Sequence, residues 1–225
     1  MSRTEKALLR EFCAENGTFI PLAIERGAGR IELCDNLAVG GTTPSIGVIE
    51  TVNHYAQTRN VDVMVMVRPR GGNFHYSSLE QDMMIRDIEA VLQLPEPVSG
   101  FVLGALQDDG LDEQLLKTLI QPILSAPHSY ELTFHMAFDE LIPEQQLAAI
   151  PWLSAHGFTR ILTHGGSGDE PIEQTLPHLQ ELVQAAGDRI RILPGAGITY
   201  QNAETIAKML QVHEVHGTRI VDLNP

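Results

Sequence analysis

Short, strand-sized apolar runs alternate with helix-length amphipathic stretches along the whole chain, and no other feature restricts the fold as strongly. Eight strand-sized runs are readable, at residues 9–13, 30–34, 62–68, 100–103, 131–136, 160–163, 189–193 and 214–216. Seven helix-length segments lie between them, at about residues 19–26, 45–58, 79–94, 112–125, 143–156, 172–186 and 200–211. Asp112 and Thr199 stand where N-caps are wanted, and Pro143 and Pro171 lie near helix starts, where a missing N–H costs little. Strands alternating with helices predict a parallel sheet with right-handed crossovers, and eight such strands close a (β/α)₈ TIM barrel. A doubly wound open sheet is the alternative. It would carry a Gly-rich turn after its first strand, whereas this strand runs into Ala14-Glu15-Asn16-Gly17. Only nine residues follow His216, so the eighth helix is expected to be shortened or absent. The apolar surface this leaves predicts a homodimer or higher homo-oligomer.

A length of 225 residues suits one barrel domain spanning the chain, 1–225, and no linker or low-complexity tract divides it. The net charge of −14 would repel phosphodiester backbones and anionic lipid, so neither nucleic acid nor membrane is an expected partner. Two cysteines make no disulfide framework. The opening Met1-Ser2-Arg3-Thr4-Glu5-Lys6 is too charged for a signal peptide. Together these features predict a cytoplasmic protein.

Side chains alternate along a barrel strand between the interior and the helix layer. Ile31 and Leu33, or Val63, Val65 and Val67, form the branched apolar face that packs on helices. The opposite parity carries Glu11, Glu32, Arg68, His135, Glu214 and His216, which are therefore expected to point inward. Interior charge is costly unless paired or bound. Pairing of the three carboxylates with Arg68 and the nearby Arg70 is one reading. A binding site at the C-terminal rim, where barrel active sites form, is the other.

An ordered set of motifs spans residues 9–217. Arg30-Ile31-Glu32-Leu33-Cys34, Gly40-Gly41 with Thr43-Pro44-Ser45, and Arg68-Pro69-Arg70-Gly71-Gly72 come first. Val102-Leu103-Gly104, Asp109-Gly110, Thr133-Phe134-His135-Met136-Ala137-Phe138-Asp139, Arg160-Ile161-Leu162-Thr163 and Gly165-Gly166 follow. Pro194-Gly195-Ala196-Gly197 and Glu214 with His216 close the set. This set resembles the CutC family, named for copper homeostasis, whose fold is a (β/α)₈ barrel. The resemblance implies a cytosolic copper(I)-binding protein. Two departures stand out: Met136 replaces the family's Arg, and His164 replaces its Ser.

Two functional readings follow. In the first, Cys13 and Cys34 bind copper(I), which prefers soft sulfur ligands. They share the inward parity on adjacent strands about 4.8 Å apart, with Met64 and Met66 on the next strand. In the second, the chain is an enzyme of isomerase, epimerase or hydrolase type acting on a small phosphorylated or carboxylated substrate. Here Arg68 and Arg70 clamp the anion, His135 is the acid or base, and Glu32 or Glu214 partners it. Asp139 would orient His135. Gly165, Gly166, Gly195 and Gly197 would offer backbone N–H groups, and Glu11, Thr163 and His216 complete the substrate pocket. His156, His164, His178 and His213 read as surface or loop residues. No strand carries a Lys, which disfavours a Schiff-base aldolase.

Overall fold

The structure, a computed structural model, describes residues 7–224. The charged opening at residues 1–6 lies outside the described residues. Eight parallel strands form one sheet: β1 (Leu9–Glu15), β2 (Arg30–Cys34), β3 (Asp62–Met66), β4 (Gly100–Leu103), β5 (Glu131–Phe134), β6 (Arg160–Thr163), β7 (Arg191–Pro194) and β8 (Glu214–Gly217). Each ladder joins consecutive strands, and β8 pairs with β1 through Leu9↔Glu214, Arg10↔Val215, Glu11↔His216 and Phe12↔Gly217. The ring is nearly closed. Among the described residues, β7 and β8 share no ladder; a single parallel bridge, Thr199↔Arg219, joins their continuations. The open doubly wound alternative is thereby excluded.

Seven helices pack outside: α1 (Ile20–Glu25), α2 (Ile46–Gln57), α3 (Ser78–Leu92), α4 (Glu113–Leu124), α5 (Pro143–Ala155), α6 (Ile172–Ala186) and α7 (Ala203–Leu210). No eighth helix follows β8 among the described residues. Local chemistry sets the starts. Asp112 accepts the Leu115 N–H at 3.0 Å, and Ser77 and Glu80 form a reciprocal capping box on α3. Thr199 is not the cap of α7. Its N–H donates to Asn202 Oδ1 at 2.8 Å in a turn, and the helix begins three residues later than its pattern predicts. None of the helices is long and apolar enough to cross a membrane.

The parity argument holds for the outward face. Ile31, Leu33, Val63, Val65, Val67, Phe101 and Leu103 are fully buried between sheet and helices. Each contributes roughly 1.5–3 kcal/mol by leaving water. Inside the barrel, Cys13, Cys34, Met64, Met66 and Val102 form a separate apolar cluster.

The lower end of the barrel, at the strand N-termini, is closed by ions. Arg30 pairs with Glu11 and, at 2.8 Å, with Glu214. Arg160 pairs with Glu131 and reaches Glu214 at 3.5 Å, and Arg191 reaches Glu131 at 2.8 Å and Glu214 at 3.2 Å. The carboxylates are thus matched by arginines of β2, β6 and β7. The expected pairing with Arg68 and Arg70 does not occur. Arg68 donates to backbone carbonyls, and Arg70 pairs with Glu80 on α3.

Candidate functional site

At the opposite end, where the strands finish, a cavity of about 270 Å³ opens above the barrel interior. Cys13, Glu32 and His216 line its floor; Met66, Arg68 and His135 are in its wall, with Gly197, Thr199 and Arg219 also lining it. The ladders explain the floor. Cys13 stands opposite Glu32, and Glu11 opposite His216, so β1 carries two inward residues between a carboxylate and an imidazole. Cys34 stands opposite Glu15, diagonal to Cys13 rather than beside it. The two residues nonetheless belong to one buried cluster, and the Cys34 thiol faces Glu32 Oε2 at 3.6 Å.

Potential ligand atoms of Cys13, Glu32 and His216 all lie within 4.8 Å of one another. Glu11 Oε1 holds the His216 Nδ1 at 2.8 Å, and Nε2 faces Glu32 Oε2 at 3.6 Å. Burial lowers the affinity of His216 for its proton, but Glu32, Cys13 and Glu11 outweigh it and push its pKa well up. Burial works against Glu11 ionisation, yet Arg30 and His216 hold its pKa well below the usual carboxylate range. Burial pushes Glu32 up. The neighbouring Cys34 thiol, burial and Glu32 together push Cys13 up. At Cys34 the neighbouring Cys13 thiol pulls downward, but burial and Glu32 raise the thiol to about 11.

His135 ends β5 and caps the short 3₁₀ turn Met136–Glu140; its Nδ1 accepts the Ala137 N–H at 3.2 Å. That bond assigns the ring proton to Nε2, which has no partner among the described residues. Burial, and then the Arg68 charge, lower its pKa to about 3. Gly104 makes room for the ring: a Cβ there would lie 2.6 Å from His135 Cε1. Neither Glu32 nor Glu214 hydrogen-bonds to His135. Glu214 belongs to the ion cluster at the far end of the barrel.

Arg68 Nη1 donates to the carbonyls of Val39 (3.1 Å), Gly40 (3.0 Å) and Gly41 (3.0 Å), and Nη2 to that of Gly72 (2.8 Å). Its guanidinium also lies 4.7 Å from the Phe74 ring centroid. Arg68 therefore pins two rim loops, and its Nε has no partner among the described residues. Arg70 lies outside the cavity; besides Glu80 it donates to the carbonyls of Gly71, Asn73 and His75.

Asp139 does not orient His135. It accepts the Thr163 hydroxyl and the N–H groups of His164 (2.9 Å) and Gly165 (3.3 Å), while burial raises its pKa to about 6. Gly165 N–H also donates to Thr163 Oγ1, and Gly195 N–H to the Thr163 carbonyl. A Cβ at Gly166 would meet Glu170 Oε2 at 2.9 Å, so a carboxylate already borders that turn. Of the four glycines, Gly197 alone lines the cavity. His164 is fully buried, not a surface residue: Nδ1 faces Gly195 O at 3.1 Å and Nε2 faces Glu170 O at 2.9 Å.

The chain matches the CutC family over residues 8–221. It is 52% identical over 215 residues to the family protein CutC of Enterococcus faecalis, covering 95% of this chain and 100% of that one. It is 38% identical over 209 residues to the human copper homeostasis protein cutC homolog, covering 92% and 72%. The solved structure of CutC from Streptococcus agalactiae superposes with a TM-score of 0.88 at 44% identity, covering 95% of this chain and 100% of that one. With the family match over residues 8–221 and relatives of this identity, the protein belongs to the CutC family.

Proposed function

We propose that this protein binds copper(I) in the cytosol, with the sulfurs of Cys13 and Cys34 as its ligands. The observation that carries the reading is two buried free thiols in one cluster, one of which, Cys13, lies at the cavity floor. The thioethers of Met64 and Met66 belong to the same cluster, and soft sulfur is what copper(I) selects. Cys13 borders the cavity, which gives an arriving ion an approach. The copper homeostasis name of the human relative agrees with this choice. Oligomerisation fits the exposed Leu79, Met83, Leu124 and Ile142. The test is anaerobic copper(I) titration against a competing chelator. One-to-one binding that is lost in the Cys13→Ser/Cys34→Ser protein is expected; full affinity in that variant would end the reading.

A second reading is favoured by the cavity's size, which exceeds what a lone ion needs. In it, the chain acts on a small carboxylated or phosphorylated molecule. Arg68 and Arg219 both line the cavity, and among the described residues neither has a carboxylate at ion-pair distance. An anionic ligand would supply that counter-charge. The neutral His135 Nε2–H donates to such a ligand, and Glu32 is the nearby carboxyl. Thermal-shift screening of carboxylated and phosphorylated metabolites checks this. Stabilisation that is lost in Arg219→Ala supports it; an unresponsive panel removes it.

A further inference from the structure

We infer that Cys13, Glu32 and His216 form a site for a borderline divalent cation of the Zn²⁺ kind, with one coordination position open to the cavity. This is separate from copper(I) binding by the two thiols, because it does not use Cys34.

The geometry is the first argument. Donors about 2.0–2.3 Å from a shared Zn²⁺ lie about 3.3–3.8 Å from one another in a tetrahedron. His216 Nε2 and Glu32 Oε2 are 3.6 Å apart, too far for a good hydrogen bond and suited to a common ion. All three donors fall within 4.8 Å of one another. Side-chain shifts of about 1 Å, shared among the three residues, would close the set.

The surroundings are the second. Glu11 Oε1 engages His216 Nδ1 at 2.8 Å and turns Nε2 toward Cys13 and Glu32. A carboxylate behind a histidine in this manner fixes ring orientation and raises ligand basicity at metal sites. Glu11 is itself held by Arg30 from below, so the supporting residue is anchored on its far side. Among the described residues Glu32 keeps one oxygen, Oε1, without a hydrogen-bond partner, although the residue is 98% buried. A buried carboxyl left half satisfied is costly, and a cation removes that cost.

The donor chemistry selects the metal. One thiolate, one imidazole and one carboxylate form a mixed set that suits Zn²⁺, whereas copper(I) favours sulfur alone. A thiolate and a carboxylate also balance the two positive charges, so the loaded cluster is neutral within the barrel. Three protein ligands leave a fourth position, and the cavity lies over all three residues. Water or an oxygen of a small cavity ligand would take that position, as at zinc sites that do chemistry.

Metal titrations of the whole protein test this, with Zn²⁺ followed by chelator competition and Co²⁺ followed by its thiolate charge-transfer absorption. Binding of one ion per chain is expected in the wild type and in Cys34→Ser alike. Cys13→Ser should lose the cobalt–thiolate band, and Glu32→Gln should bind at least about tenfold more weakly. Glu11→Gln, which touches no metal, should weaken binding by about 10–100-fold. Zinc-edge absorption of the wild type gives an answer that no folding defect can confuse: one sulfur and two or more nitrogen or oxygen neighbours are expected. Two sulfur neighbours, equal loss in Cys34→Ser and Cys13→Ser, or unchanged affinity in Glu32→Gln would overturn the assignment. Cys34→Ser also separates the two metal readings, since it should weaken copper(I) binding and leave Zn²⁺ binding intact.

Discussion

Glu11 Oε1 stands 2.8 Å from His216 Nδ1, across the ladder that joins the first strand to the last. The Glu11 carboxyl is held well below its ordinary value of 4.5, so its contribution is complete above that pH and is lost as the pH falls through the depressed value. His216 is shifted upward, so its contribution is complete below 6.5 and is lost as the pH rises through the raised value. Glu11→Gln leaves the Arg30 and His216 charges short of a buried partner. It should destabilise the fold by about 3–5 kcal/mol near neutrality. The deficit relative to wild type should shrink as the pH falls below 4.5. Urea unfolding of both proteins across that range checks it.

His135 behaves in the opposite sense to His216. Its pKa is lowered to about 3, so the folded state binds fewer protons than the unfolded chain between that value and 6.5. Stability from this group is present above 6.5 and lost on acidification, by at most about 1.36 kcal/mol per pH unit. A His135→Asn protein should show a shallower acid slope over that interval. Nitrogen NMR of the wild-type ring should show a neutral Nε2–H tautomer down to about pH 5.

Arg68 uses a planar fork to bond four carbonyls, a task that a lysine ammonium cannot copy. Arg68→Lys keeps the charge but should cost about 2–3 kcal/mol, because several buried carbonyls lose a charged donor. Denaturant unfolding measures that cost. Hydrogen exchange should quicken first in the two loops around Val39–Gly41 and Gly72, with the lower ion cluster unaffected.

The thiols should resist alkylation in the folded protein. Cys34 is 1% exposed with a pKa near 11, and Cys13, 8% exposed, is also shifted upward. Iodoacetamide followed by mass spectrometry should find both unmodified at neutral pH and both modified in denaturant. Fast native labelling of Cys13 would contradict its placement.

The fold was legible because its signal is periodic and local. The strand at 30–34 and the helix at 172–186 appear at the boundaries that their apolar spacing predicts. The strand at 131–136 ends two residues early because His135 turns the backbone into a 3₁₀ segment. The inward cluster was legible in part. Parity brings Glu11, Glu32 and His216 inside, but it also places Arg30 beside Glu32, and that arginine is the partner of Glu11 and Glu214. The same count applied to Arg160 and Arg191 would have found the rest of the ion cluster. Which end of the barrel a residue occupies depends on stagger between strands, and residue alternation carries no information about it. Glu214 opens β8 and His216 lies two residues, about 6–7 Å, further along it, so they belong to a salt-bridged base and a cavity floor respectively. Asp139 and His135 are neighbours in sequence, yet the 3₁₀ turn between them sends the carboxylate to Thr163.

His216 rides on β8, one of the two staves of the barrel that have a ladder on a single side; β7 is the other. Across its other edge, among the described residues, no ladder forms; the Arg191–Glu214 ion pair at 3.2 Å and the Thr199↔Arg219 bridge span the seam, one at each end. Every other donor to the cavity floor comes from a strand clasped on both sides. The barrel is therefore a split ring rather than a sealed one, and its seam runs beside the cavity floor that carries His216.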